Sequence, residues 1–253
     1  MDYIQLTEQL KEKVRSQKPL VHHITNFVTM YQCARITSFL GASPVMAFAS
    51  DEAEAVTSKA DALVINTGTL NNEVIAAIPK SLAAAKDRHI PVVLDPVGIN
   101  LSDYRHHFIM DILKHHSFSV LRCNGIELLN ICGKLMEGHG IDGATSYDVE
   151  EAAFKVAKNY HCTVACTGKT DIICDGTQIV HLDRGSSLLP QLVGTGCMIN
   201  SLIGAFLPAA DTAADAAIAG ILTMSLAGEA AEKDLDDPTH LGTFETLLLD
   251  HIR

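Results

Sequence analysis

Short β-branched runs alternate with longer helical patterns through the middle of this chain, and that alternation leaves few folds open. Ala62–Asn66 reads as a buried strand, followed by a helix over about 71–88. Residues 91–95 form the next strand, ahead of a helix over about 102–116. Residues 119–122 form a third, ahead of a helical piece over 125–132. A glycine-rich loop (133–143) then leads to a helix over about 147–160 and the strand Thr163–Thr167. Residues 172–174 and 178–182, joined by Asp175-Gly176-Thr177, read as a hairpin. Upstream, residues 1–17 form a charged amphipathic helix, and a second helix runs over about 27–40 with Thr25 as a candidate N-cap. Downstream the pattern is helical over 195–207, 213–232 and about 244–253. Strands separated by such helices are βαβ units, so the expected fold is α/β, a mostly parallel central sheet with helices on both faces. No linker or low-complexity tract interrupts the 253 residues, which predicts one domain over 1–253.

Ligands of such sheets sit beyond the carboxyl ends of the strands. Four polar clusters lie where an inferred strand stops: Asn66-Thr67-Gly68-Thr69, Asp95-Pro96, Arg122-Cys123-Asn124 and Thr167-Gly168-Lys169. The architecture therefore gathers them along one edge. A further candidate is Gly194-Thr195-Gly196-Cys197, which opens an apolar helix. Glycines around a small hydroxyl residue let backbone N–H groups approach an anion, and the helix dipole favours negative charge there. No charged residue occurs from Gly185 to Ala210, so such an anion would meet backbone dipoles in a dry setting. Cys197 at the mouth of that site would feel positive potential and favour its thiolate. The same tetrapeptide also reads as a tight turn before a buried helix, with Cys197 a small core residue.

Other candidates carry two readings each. Asn124 and Glu127 are spaced either as a capping box or as an Mg²⁺–water–phosphate site, since Mg²⁺ prefers hard oxygen ligands and keeps several waters. Asp95 is either a carboxylate aimed at a metal or a turn residue accepting backbone N–H groups. Arg122 closes an apolar strand and needs an anionic partner, for which phosphate is suited. Residues 41–46 are either a strand start or the wall of a small apolar pocket.

The formal net charge of −11 and the lack of a basic cluster argue against nucleic acid as partner. Seven cysteines, an odd number with no C-x-x-C pair, fit reduced thiols in a cytoplasm. The charged N-terminal helix does not read as a signal peptide, and the most apolar stretches are too short or too charged to span a membrane. The adjacent pairs His22-His23, His106-His107 and His115-His116 lack metal-ligand spacing and read as solvent-facing or capping residues. Cys162 and Cys166 read as core. Neither a G-x-G-x-x-G nor a Walker-type motif occurs.

Seven segments in order, 19–26, 41–46, 62–70, 93–98, 122–127, 165–168 and 194–197, closely resemble the hydroxyethylthiazole kinase family of the ribokinase-like superfamily. The resemblance implies ATP-dependent phosphorylation of the primary alcohol of 4-methyl-5-(2-hydroxyethyl)thiazole in thiamine biosynthesis or salvage. It implies Mg²⁺ and a homotrimer with active sites near subunit interfaces. Carried over by position, Asn26, Met46, Gly68 and Gly194 would contact the thiazole. Arg122, Asn124, Thr167, Thr195 and Gly196 would serve ATP and its phosphates, Asp95 and Glu127 would support Mg²⁺, and Cys197 would assist at the alcohol. The chain departs from the family pattern at Ile99-Asn100, where a glycine turn is usual, and at Cys123, Gly125 and Ile126. Alternatives are a related kinase of another heterocyclic alcohol such as hydroxymethylpyrimidine, and a non-catalytic thiazole- or nucleotide-binding homologue.

Overall fold

The computed structural model describes residues 2–133 and 146–253. Most of the inferred glycine-rich loop, from residue 134 on, lies outside the described residues. The chain runs α1 (Tyr3–Gln17), β1 (Leu20–Ile24), α2 (Met30–Leu40), β2 (Ser43–Met46), α3 (Ala53–Thr57), β3 (Ala62–Asn66), α4 (Asn72–Asp87), β4 (Val92–Asp95) and α5 (Asp103–His115). There follow β5 (Val120–Asn124), α6 (Gly125–Ile131), α7 (Ser146–Tyr160), β6 (Thr163–Thr167), β7 (Asp171–Cys174), β8 (Ile179–Leu182), α8 (Thr195–Phe206), α9 (Ala213–Lys233) and α10 (Leu241–Asp250).

The strands form one sheet in the order β2-β1-β3-β4-β5-β6-β7-β8, parallel from β2 to β6, with β7 antiparallel to both neighbours. Central strands such as β3 are buried along their whole length, which is why they read as continuous apolar runs. One apolar core, including Ile36, Leu40, Phe206 and Ile221, lies under α1, α2, α8, α9 and α10. The other, including Ile78, Ile109, Leu128 and Val156, lies under α4 to α7. The expected two-faced α/β architecture is therefore the one observed. Helix α9 alone among the described residues is long and apolar enough to cross a membrane, and most of it is buried inside the fold.

The structure adds a strand, β1, and a short helix, α3, that the sequence pattern does not announce, and it starts α2 later than expected. Strand β1 was unassigned because Leu-Val-His-His-Ile carries two imidazoles, yet it lies near the middle of the sheet. Helix α2 begins at Met30, not near Phe27; Thr29 occupies its N-cap position without a side-chain bond, so Thr25 does not cap it.

The strand order fixes where a ligand fits. After β1 the chain passes to α2 on one face, and after β3 it passes to α4 on the other. The loops leaving β1 and β3 therefore diverge, opening a crevice at the carboxyl edge of this switch point. Helix α8 lies across the same strands. A Cβ on Gly204 would touch Val64 in β3, while Cys197, two turns earlier, reaches Asn66 at the end of β3.

Candidate active site

Asn26 follows β1, and its amide donates to Asn66 Oδ1 (3.0 Å) and to Cys197 Sγ (3.2 Å). Its own oxygen accepts from the Thr29 amide and hydroxyl, which fixes the amide's orientation. Asn66, the last residue of β3, donates to Asp95 Oδ2 (2.7 Å) and to Cys197 Sγ (3.4 Å), and its oxygen accepts from Gly68 N–H. Asn200, one turn after Cys197 on α8, also donates to Asp95 Oδ2. The sequence places Asn66 on the ligand edge without giving it a role, and it does not single out Asn200. An amide at position 200, early in the mainly apolar run 198–207, is the sequence signal that points to Asn200.

Asp95 is fully buried, with Arg122 Nη1 at 3.8 Å. Burial pushes its carboxyl up to about 7, although Arg122 and the two amides pull the other way. Its Oδ1 is buried without a hydrogen-bond partner, as is Asn200 Oδ1 beside it. Buried polar atoms without protein partners are uncommon, and these two oxygens keep their acceptor capacity unspent. Burial works against the Arg122 charge, but Asp95 and Glu127 outweigh it and raise its pKa further. Arg122 Nη2 donates to Thr167 Oγ1, so the ends of β5 and β6 are joined.

Glu127 completes the capping box, one of the two readings the sequence left open. Its Oε2 accepts from Asn124 N–H (2.9 Å) while Asn124 Oδ1 accepts from Glu127 N–H, a complete capping box. Its Oε1 is not used by the box and reaches across to Gly98 N–H (3.1 Å) in the loop after Asp95. The carboxylate is therefore drawn toward Asp95. Asn124 itself is exposed, at the register position beside Thr167 on the same edge, with its side-chain oxygen spent on the cap.

Gly194 occupies the N-cap of α8 with φ 94°, a left-handed conformation that favours glycine, and a Cβ there would strike Thr29. Thr195, Gly196 and Cys197 form the first turn, whose N–H groups have no acceptor inside the helix. Gly196 is required by approach: a Cβ there would lie 2.5 Å from Arg122 Nη1. Cys197 is not a stabilised thiolate. Burial and the neighbouring Asp95 raise its pKa, outweighing Thr29, Arg122 and the Asn26 amide. The thiol is enclosed and shares its space with a carboxylate, and both disfavour the thiolate expected at a helix terminus.

Beside Arg122 and Thr167 a cleft of about 670 Å³ runs past Lys169, Gly196 and Leu189 to Met224 on α9. Its lining mixes the cationic side chains of Arg122, Lys169 and Arg184 with the apolar ones of Leu189, Ile199 and Met224. Met46, at the end of edge strand β2, lies beside His23 in register and is half-buried.

A family model for hydroxyethylthiazole kinases matches residues 11–253. The chain belongs to the hydroxyethylthiazole kinase family. A hydroxyethylthiazole kinase from Alkaliphilus metalliredigens is 42% identical over 252 residues, covering 98% of this chain and 93% of that protein. The solved structure of a hydroxyethylthiazole kinase from Pyrococcus horikoshii OT3 superposes with a TM-score of 0.88 at 33% identity, over 98% of this chain and 92% of that one. A ribokinase-like superfamily protein from Enterococcus faecalis shares only 14% identity yet gives a TM-score of 0.63 over 99% of this chain and 95% of its own. The fold is thus ribokinase-like.

Two departures from the family pattern have a structural account. Ile99 is fully buried in the core under α4 to α7, so its side chain packs inward. Cys123 is fully buried on β5, opposite Cys166 on β6.

The pair His22-His23 is buried, contrary to the solvent-facing reading. His22 spans Thr57 Oγ1 and Ala47 O, which ties α3 and the segment after Met46 to the sheet. His23 Nδ1 lies 3.0 Å from Val21 O, so that nitrogen carries the proton and Nε2 accepts from Ser201 of α8. Burial pushes the His23 pKa down to about 4 from 6.5. A lowered histidine pKa means the folded state binds fewer protons, so this stabilisation is complete above pH 6.5 and is lost as pH falls toward 4. His23→Met is therefore expected to reduce the loss of stability between pH 7 and pH 5 by about 2 kcal/mol, read from urea unfolding at the two pH values. An unchanged difference would show that the imidazole already protonates in the fold.

Proposed function

We infer that the protein transfers the γ-phosphoryl group of ATP to the primary alcohol of hydroxyethylthiazole, with the acceptor at the β1–β3 crevice and the nucleotide in the adjoining cleft. The observation that carries this reading is one connected network, Asn26–Cys197–Asn66–Asp95–Arg122–Thr167, running from crevice to cleft past the α8 N-terminus. Asn26, Met46, Gly68 and Gly194 would surround the thiazole. A crevice with few charges suits a flat heterocycle better than a polyhydroxylated sugar, which would need many hydrogen-bonding side chains. Arg122, Asn124 and Thr167 would serve the ATP phosphates, and the free N–H groups of Thr195 and Gly196 would meet the transferring group. Phosphoryl transfer has a loose transition state, so such donors contribute most and a base least.

Cys197 then acts by orientation. A thiol with a raised pKa is a poor base at neutral pH, but its sulfur, held by two amides, fixes where the alcohol oxygen rests. For Mg²⁺, the unpartnered Oδ1 of Asp95 and the nearby Glu127 supply hard oxygen atoms. Mg²⁺ keeps several waters and takes phosphate oxygens, so two carboxylates are enough to support it. When bound, Mg²⁺ would neutralise charge on the phosphates. Steady-state kinetics with hydroxyethylthiazole, ATP and Mg²⁺, run beside hydroxymethylpyrimidine, test the assignment. Faster turnover of the pyrimidine alcohol would move the substrate, and no transfer to either alcohol would leave a binding protein.

The homotrimer is part of the same reading. Phe27 (45% exposed), Val28 (68%) and Tyr31 (71%) follow Asn26 in the chain, and Val193 (69%) adjoins Gly194, where an added Cβ would strike Thr29. Apolar exposure next to Asn26 and Gly194 supports burial against a second copy. Sedimentation equilibrium is expected to give three times the 27.2 kDa chain mass, and an active monomer would rule the trimer out.

A further inference from the structure

Arg105 stands in the first turn of α5, where the helix dipole favours acidic side chains and opposes cations. It is half-buried, burial lowers its pKa, and it makes no ion pair among the described residues. A charge kept against both local rules calls for a compensating contact elsewhere. Its guanidinium donates to three backbone carbonyls in two loops. Nη1 bonds Thr67 O and Val97 O (3.0 Å), and Nη2 bonds Gly68 O (3.4 Å).

Two of those carbonyls belong to peptide units whose other ends face the active site. In the peptide joining Val97 to Gly98, the oxygen is held by Arg105 and the N–H by Glu127 Oε1. In the peptide joining Thr67 to Gly68, the oxygen is held by Arg105 and the N–H by Asn66 Oδ1. Asn66 in turn donates to Asp95 and Cys197. The loops are further tied by Thr67 Oγ1, which lies 3.2 Å from Val97 O.

We propose that Arg105 is a positioning residue for phosphoryl transfer, fixing through two peptide planes the N–H groups that orient Glu127 and Asn66. It touches neither substrate nor the reacting atoms. A planar fork of donors can bridge two loops in one geometry, which a lysine ammonium, a single point charge, cannot reproduce. The proposal rests on the roles given above to Asp95, Glu127 and Cys197.

The test compares Arg105→Met and Arg105→Lys by steady-state kinetics and by hydrogen exchange over residues 66–70 and 96–101, with Glu127→Gln alongside. Arg105→Met is expected to lower kcat by about 100-fold while KM for alcohol and for ATP each change less than about threefold, since misplacement acts on geometry more than on binding. Exchange at both loops should rise about tenfold while β4 keeps its protection. Arg105→Lys should lie between, about tenfold down in kcat. A folded Arg105→Met enzyme with kcat within about threefold of wild type would overturn the proposal, as would a kcat loss without faster exchange at the loops. If Arg105→Met does not fold, the same criteria applied to Arg105→Lys decide. Wild-type turnover in Glu127→Gln would instead remove the site assignment, and the exchange data would still report whether Arg105 holds the two peptides.

Discussion

Gly196→Val is expected to lower kcat/KM by about 10³-fold or more, whereas Cys197→Ala costs about 10²-fold or less and Cys197→Asp stays active. The reason lies in what packs on Gly196. The Arg122 guanidinium rests against the first turn of α8, held by Thr167 on one side and Asp95 on the other, and any Cβ would overlap its nitrogen atoms. Valine would displace the guanidinium and cover the N–H groups offered to the phosphoryl. Backbone strain is not the cause, since Gly196 is helical and its φ is not positive; that constraint belongs to Gly194. Removing the Cys197 sulfur leaves those N–H groups in place, so the loss is confined to orientation of the alcohol. An aspartate there would find the Asn26 and Asn66 amides already aimed at it. The three variants are compared by kcat/KM at the same Mg²⁺ and ATP, with thermal melts to confirm folding. A Gly196→Val enzyme more active than Cys197→Ala would defeat the anion-hole account.

The parts of this molecule that depend on local pattern were legible in its sequence. Strands β3 to β6 announce themselves as β-branched runs between helical stretches, and the carboxyl-edge rule then collects Gly68, Asp95, Arg122 and Thr167. Interactions satisfied at long range were not legible. Strand β1 looks too polar because the partners of its histidines, Thr57, Ala47 and Ser201, lie 25 to 178 residues away. The Cys197 pKa was misjudged for a related reason. The helix terminus is a local feature, but the enclosing wall and Asp95 come from other elements. Arg105 and Asn200 share that character, since each is explained only by carbonyls or a carboxylate on a different element.

Glu127→Gln is the variant that separates charge from architecture. Both carboxylate oxygens already accept a backbone N–H, Oε2 in the capping box and Oε1 from Gly98. Glutamine keeps one acceptor and turns an NH₂ toward the other N–H, so one bond is lost and about 1 kcal/mol of stability with it. A residue that only capped α6 would show that loss and nothing more, with kcat intact. If the carboxylate also supports Mg²⁺ beside Asp95, kcat should fall by about 10²–10³-fold. The dissociation constant of the thiazole alcohol alone should change less than about threefold, because a loss confined to the transition state leaves ground-state binding in place. The metal concentration for half-maximal rate should rise as well, since one hard anionic oxygen donor has been removed. The decisive pair is kcat at saturating Mg²⁺ set against the midpoint of thermal unfolding. A lowered midpoint with wild-type kcat would return Glu127 to the helix cap and leave Asp95 as the only carboxylate serving the phosphate.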